Sequence, residues 1–229
     1  MVEIIHKTKN LLVICKPHGM PAQSDPTKDM DAMTATAELL RSNGEPSDLW
    51  LIHRLDRVVG GLMVFARNKK YAAILSELVK EHLFSKEYYA VVDGEAEDGT
   101  LVDLLYRDSR VGKAFVVDRE RNGVKKAELS YKRLASVKTE RGVKTLVYVS
   151  LKTGRFHQIR AQLSHNGTPI SGDGKYGSHD NRVKNIALMA ARMEFNAQGE
   201  KVDVSISPDV SIYPWSLFDT SDYDIGRNV

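Results

Sequence analysis

The sequence predicts an α+β fold: a large mixed, mainly antiparallel sheet flanked by helices and loops. Three observations lead there. Short apolar runs such as Leu11–Cys15 and Leu62–Ala66 are bounded by glycine or proline, as buried strands are. Other segments repeat apolar residues at helical spacing. From Leu101 to Leu151 short strand-like runs follow one another through glycine turns. The chain of 229 residues can bury a substantial core, and it shows no internal repeat, low-complexity tract or linker. It is therefore read as one domain spanning residues 1–229.

In chain order, Leu11–Cys15 is a strand ended by Lys16-Pro17-His18-Gly19, and Met20–Asp29 is a polar, proline-interrupted loop. Asp31–Ser42 has helical composition, with Met33, Ala37 and Leu40 on one face and Gly44 as the stop. After the strand ending at Ala66, Lys69–Phe84 repeats Ala72, Leu75, Leu78, Val79 and Leu83, the pattern of an amphipathic helix packed on a core. Lys86–Gly94 alternates and stops at glycine, as an edge or half-buried strand would. Strands are expected at Leu101–Leu105, Ala114–Asp118, Ala127–Leu134 and Leu146–Leu151, with turns at Gly112, Gly123 and Gly142. Ile186–Phe195 and Val202–Ile206 add strands near the end. Thr153–Gly167 reads as a strand end, a glycine turn and a short helix, in which Phe156, Ile159 and Leu163 face the core and His157, Arg160 and Ser164 share a neighbouring face.

Charge and cysteine content narrow the function classes. The net charge of +3 is unevenly spread: residues 194–229 hold two basic and seven acidic residues, leaving 31 basic against 23 acidic in the first 193. The body could face an anionic partner, and Arg107–Arg133, with nine basic and four acidic residues, is the best candidate for a backbone-contacting surface. Cys15 is the only cysteine, which excludes an internal disulfide framework and a thiolate-rich metal site; it is read as a buried small hydrophobe. The first twenty residues carry too short an apolar run for a signal peptide or a membrane span, so the expected location is cytoplasmic, with no membrane partner.

The chemistry concentrates in two stretches. In the first, a charged cluster His53-Arg54-Leu55-Asp56-Arg57 is followed by Gly60-Gly61 and the apolar run to Ala66. Asp56 is either a loop carboxylate that pairs locally and caps amides, or a reactive carboxylate kept ionised by guanidinium charge. The second stretch, Gly154–Arg160, places Arg160 at the edge of a packed stripe, where a partly buried guanidinium must find a carboxylate. If that carboxylate is Asp56, it can act as a covalent nucleophile or a general base without metal, thiol or serine. His157 and His165 are poorly spaced as metal ligands, and structural roles are favoured for both.

His53-Arg-Leu-Asp56 with Gly61-Leu62 resembles the HRLD signature of the RluA-type family of pseudouridine synthases, and Gly154-Arg-Phe-His-Gln-Ile-Arg160 resembles its GRTHQIR segment. Lys16-Pro-His-Gly19, Lys86-Glu-Tyr-Tyr-Ala90 and Pro169-Ile-Ser-Gly-Asp-Gly-Lys-Tyr-Gly177 match further motifs in the family's order, so the resemblance spans roughly residues 10–195. It implies the pseudouridine synthase catalytic fold, isomerisation of uridine to pseudouridine in structured rRNA or tRNA, and no metal or organic cofactor. It implies that Asp56 attacks the target uridine, that Arg160 pairs with Asp56 and holds it, and that Tyr88 stacks near the base and assists proton loss at C5. Arg54, Arg57, Lys86, Arg155 and His157 become candidates for RNA contact. For Arg54 phosphate contact and structural pairing stay equally open, while for His53 and His157 the structural role is favoured.

Val59-Gly60 stand where the family usually has Thr-Ser, and Phe156 replaces its usual Thr or Ser. Neither change removes a proposed catalytic group; both bear on how the loop is braced and how RNA is contacted. The motifs begin near the N-terminus, so the accessory S4 RNA-binding domain of many relatives is expected to be absent, and the protein is expected to act as a monomer. The rivals are a non-catalytic RNA-binding or RNA-chaperone protein and a carboxylate-dependent nucleoside or glycoside hydrolase, for which no second catalytic carboxylate is found in the motifs.

Overall fold

The computed structural model describes residues 1–219. In chain order the elements are β1 (Glu3–Lys7), β2 (Leu11–Lys16), α1 (Ala32–Ser42), β3 (Trp50–Leu51), β4 (Gly60–Ala66), α2 (Lys69–Lys80), β5 (Ser85–Asp93), β6 (Gly99–Asp108), β7 (Lys113–Val117), β8 (Val124–Thr139), β9 (Gly142–Leu151), α3 (Gln158–His165), β10 (Leu188–Ala197) and β11 (Glu200–Ser205). The chain divides into two compact units, Met1–Lys86 with Met189–Ile206, and Glu87–Leu188 with the segment from Ser207 onward. Two of the divisions fall inside strands β5 and β10, which is why no linker composition marks them.

In the first unit β2 is antiparallel to both β1 and β4, β4 runs parallel to β10 through Met189–Gly60 and Ala190–Gly61, and β11 folds back on β10. Every residue of β4 is buried. Leu62, Val64 and Ala66 point to one face, where Leu11, Val13, Tyr71, Leu75, Met193 and Phe195 join them in a core; Met63 and Phe65, on the other face, are equally buried. Both helices start at side-chain caps: the Asp31 carboxylate accepts from Thr34 N–H at 2.9 Å, and Asn68 Oδ1 accepts from Tyr71 N–H at 2.9 Å.

The second unit is an antiparallel sheet in the order β5-β9-β8-β6-β7. Its turns use Gly112, Gly123 and Gly142 in positive-φ conformations, as expected. Leu105, Ala114 and Ala127 of the sheet pack with Ala161 of α3 and with Tyr176.

Four expectations are corrected. The stripe of α1 is Ala32, Thr36, Ala37 and Leu40, with Met33 only half-buried. Helix α2 ends at Lys80; the chain turns at His82 in a left-handed conformation, so Leu83 is exposed and Tyr71 and Leu75 carry the burial. Strand β5 is neither an edge nor half-buried: Tyr88–Val92 are all buried, β9 lies on one side, and residues 169–171 and 187 take up its remaining backbone groups. Cys15 is half-buried, while the next residue, Lys16, is fully buried. No helix among the described residues is long and apolar enough to cross a membrane.

Candidate active site

In the first unit the loop 52–59 leaves β3 and enters β4. Leu55 and Val59 are buried and anchor it, Asp56 and Arg57 are half-buried, and Arg54 and Val58 are exposed. Asp56 and Val59 close a turn, with Val59 N–H donating to Asp56 O at 3.0 Å. The segment 16–20 grips this turn. Lys16 Nζ, wholly removed from solvent, donates to the carbonyls of Pro17 (2.9 Å), Met20 (2.7 Å) and Arg57 (3.3 Å). Three carbonyls match the three N–H bonds of an ammonium, which makes its burial tolerable. Gly19 N–H donates to Arg57 O at 2.9 Å, and His18 Nδ1 lies 2.9 Å from Val58 O. Burial pulls the Lys16 pKa down to about 8, against the charge of Asp56, which holds it up. Two motifs that the sequence shows only as an ordered pair are thus one structure, and Lys16 is a member of the site that sequence reasoning left out.

Other neighbours of Asp56 have partners within the unit. Arg57 pairs with Asp29, lies 3.7 Å from Asp25 and donates to Thr27 Oγ1 at 3.0 Å, so this candidate RNA contact braces the 25–29 loop. His53 Nε2 accepts Val64 N–H at 3.2 Å, and burial, with Lys86 adding to it, pushes the ring down to about 3. A neutral ring that accepts a strand amide is structural. Lys86 is half-buried, its ammonium 5.7 Å from the centre of the Phe84 ring and its pKa lowered by burial. Arg54 has no ion pair among the described residues and remains the exposed cation of this loop.

In the second unit the turn before α3 is built on Gln158, whose Oε1 accepts from Thr153 Oγ1 (2.8 Å) and Arg155 N–H (2.9 Å) while Nε2 donates to Glu128 O (3.1 Å). His157 enters the helix in a left-handed conformation, φ 52°. Its ring stacks on Phe156 at 3.8 Å and its Nδ1 is 3.0 Å from the Tyr176 hydroxyl. Burial, then the charges of Arg160, Lys175 and Arg107, push it down to about 3. It is a packed, neutral ring rather than a cation offered to phosphate. Arg155 is exposed and donates from Nε to Lys126 O at 3.0 Å. Tyr88 is buried on β5, opposite Val149.

Arg160 lies deeper than its sequence position suggests, at 5% exposure. Asp173 holds it in a two-point pair, Nε to Oδ2 at 2.6 Å and Nη2 to Oδ1 at 2.9 Å, and the guanidinium carbon sits 5.0 Å from the Tyr176 ring centre. Tyr176 is itself fixed, its hydroxyl accepting Ala114 N–H at 2.8 Å. Asp173 and Tyr176 were missed; the available signal was that Pro169–Gly177 matches a family motif. A buried network secures that segment: Ser171 and Ser178 hydroxyls donate to Asp93, Lys144 Nζ donates to Asp93 and lies 2.9 Å from Asp180 Oδ2, and the Tyr213 hydroxyl donates to Asp180 at 2.7 Å. Arg182, more than any other neighbour, holds the Asp180 carboxyl well below the usual range.

The first unit thus holds a carboxylate on a loop clamped by a buried ammonium, and the second a buried guanidinium oriented by Asp173. Comparison with known proteins gives the family. A family described as RNA pseudouridylate synthase matches residues 10–165. The ribosomal large subunit pseudouridine synthase D of Borreliella burgdorferi is 29% identical over 82% of this chain, which spans 58% of that protein. The tRNA pseudouridine synthase C of Haemophilus ducreyi is 32% identical over 79% of this chain and 76% of its own length. The solved structure of human RNA pseudouridylate synthase domain containing 1 shares the fold, with a TM-score of 0.78 and 22% identity over 91% of this chain and 84% of that one. With its motifs matched in order, the chain belongs to the RNA pseudouridylate synthase family, as a member of the RluA type that isomerises uridine to pseudouridine in RNA.

Proposed function

We propose that Asp56 is the nucleophile of this isomerisation, in a structured ribosomal or transfer RNA, and that Arg160 pairs with it and holds it. In the reaction the bond from C1′ to N1 breaks, C1′ bonds to C5, the C5 proton leaves and N1 takes up a proton, so composition is unchanged. Asp56 attacks the target uridine, Arg160 keeps the carboxylate ionised and oriented, and Tyr88 stacks on the base and assists loss of the C5 proton. A paired base is out of reach, so the target is turned out of its stack, and an aromatic face with basic side chains suits an extruded nucleotide. Of the proposed RNA contacts, Arg54 and Arg155 are the exposed ones. The enzyme acts as a cytoplasmic monomer.

The observation that carries this reading is the clamp on the Asp56 turn: a fully buried Lys16 ammonium bound to Arg57 O, its charged form favoured by the Asp56 carboxylate. Burying a lysine to fix an ordinary surface turn would be an expensive arrangement. The names of the two bacterial relatives support a ribosomal or transfer RNA target. The test is incubation with RNA tritiated at C5 of uridine. Wild-type protein is expected to release tritium to water and Asp56→Ala to release none. RNA binding without release would favour a binding protein, and free uracil or nucleoside a hydrolase.

A further inference from the structure

Val59-Gly60 stand where the resemblance leads to Thr-Ser, and at Gly60 the structure shows what fills the space of a side chain. A Cβ built on Gly60 would lie 2.6 Å from His18 Cδ2 and 2.7 Å from His18 Nε2, closer than van der Waals contact with the imidazole allows. Gly60 has no positive φ, so its backbone would accept any L-residue; the imidazole excludes a side chain there. Gly61 is different: its φ of +112° and a Cβ position 2.2 Å from Ala190 O demand glycine for backbone reasons.

The same ring reaches the turn that carries Asp56. His18 Nδ1 is 2.9 Å from Val58 O, and since a carbonyl can only accept, Nδ1 carries the hydrogen. Gly19 N–H and Lys16 Nζ hold the preceding carbonyl, that of Arg57, at 2.9 and 3.3 Å. The carbonyls one and two residues after Asp56 are therefore both fixed from segment 16–19, and His18 alone among these groups also fills the space that a side chain at position 60 would need.

We propose that His18 is a positioning residue for Asp56, matched to Gly60: the imidazole fixes the carbonyl two residues after Asp56 and fills the space that a side chain at position 60 would need. This rests on the reading of Asp56 as nucleophile. Its contribution acts through the turn geometry and not through contact with the uridine. Asparagine places a side-chain N–H near the position of Nδ1, so it preserves the bond to Val58 O while vacating the rest of the ring volume.

The experiment is tritium release from C5-labelled RNA by His18→Ala, His18→Asn, Gly60→Ser and His18→Ala/Gly60→Ser, with RNA affinity and melting temperature measured alongside. Loss of the hydrogen bond in His18→Ala is expected to lower kcat by about tenfold with KM little changed, and His18→Asn to recover most of it. Gly60→Ser is expected to lose melting temperature and kcat, and the double variant to regain both relative to Gly60→Ser. Wild-type kcat in His18→Ala, equal losses in His18→Asn and His18→Ala, or additive losses in the double variant would overturn the proposal. Should Gly60→Ser fail to fold, the alanine and asparagine variants decide it. Absence of release by the wild-type protein would instead overturn the nucleophile reading, and rescue of melting temperature in the double variant would still report the matched pair.

Discussion

Arg160 and Asp173 illustrate how a single buried pair constrains this protein. Both are almost wholly removed from solvent, at 5% and 1% exposure, and they share two hydrogen bonds. Removing one member of such a pair strips the other of a buried two-point partner, which costs about 3–5 kcal/mol. Asp173→Ala is therefore expected to lower unfolding free energy by about that amount in urea titration, and a loss under about 1 kcal/mol would mean that Asp173 does not hold Arg160. The two low-pKa histidines make a separate prediction. His53 and His157 have pKa values pushed down from 6.5 to about 3. An unfolded chain would take up protons below pH 6.5 that the folded rings refuse, so stability is complete above that pH and falls as pH drops toward about 3. Urea midpoints measured from pH 7 to pH 4 should decline, and His53→Gln, which keeps an acceptor for Val64 N–H, should decline less. An identical pH slope in the variant would contradict this.

At the scale of elements, the parallel join of β4 to β10 depends on Gly61, where a Cβ would lie 2.2 Å from Ala190 O with φ at +112°. Gly61→Ala is expected to cost about 3 kcal/mol or more, seen as a large fall in melting temperature; near wild-type melting would show that the join can shift. Most elements were legible because their signals are local: the helical composition from Asp31 with Gly44 as the stop of α1, the apolar run Leu62–Ala66 of β4, and glycines at the turns of β6–β9. The errors arose where distant chain decides. Apolar spacing continues to Leu83, but the helix stops at Lys80 because the chain turns at His82. Strand β5 looks half-buried because Lys86 and Glu87 open it, yet residues 169–171 and 187 cover its far edge, and no feature within 86–94 announces them.

Across the whole molecule, the site was legible as five ordered motifs, but their physical connections were not. Lys16 reads as an ordinary strand-end lysine until its three carbonyl partners are seen, one of them 41 residues away. Lys144, Asp93, Asp180 and Tyr213 form one network from positions too scattered for any spacing rule. Charge, by contrast, was readable in bulk. Arg119, Arg121 and Lys125 are exposed on or between β7 and β8, within the most basic stretch of the chain. Reversing all three to glutamate is expected to weaken RNA binding and to reduce the salt dependence of log K by about 0.7–0.9 for each phosphate no longer neutralised. Unchanged affinity and slope would place the RNA elsewhere.

Arg160 is proposed to keep the Asp56 carboxylate ionised and oriented. Arg160→Ala, compared with wild type for both single-turnover tritium release and RNA affinity, tests it most directly. Turnover is expected to fall by about 100-fold or more, as a displaced reacting group does, while RNA affinity stays within about threefold. Equal losses in turnover and binding, or turnover close to wild type, would show that Arg160 does not hold the nucleophile.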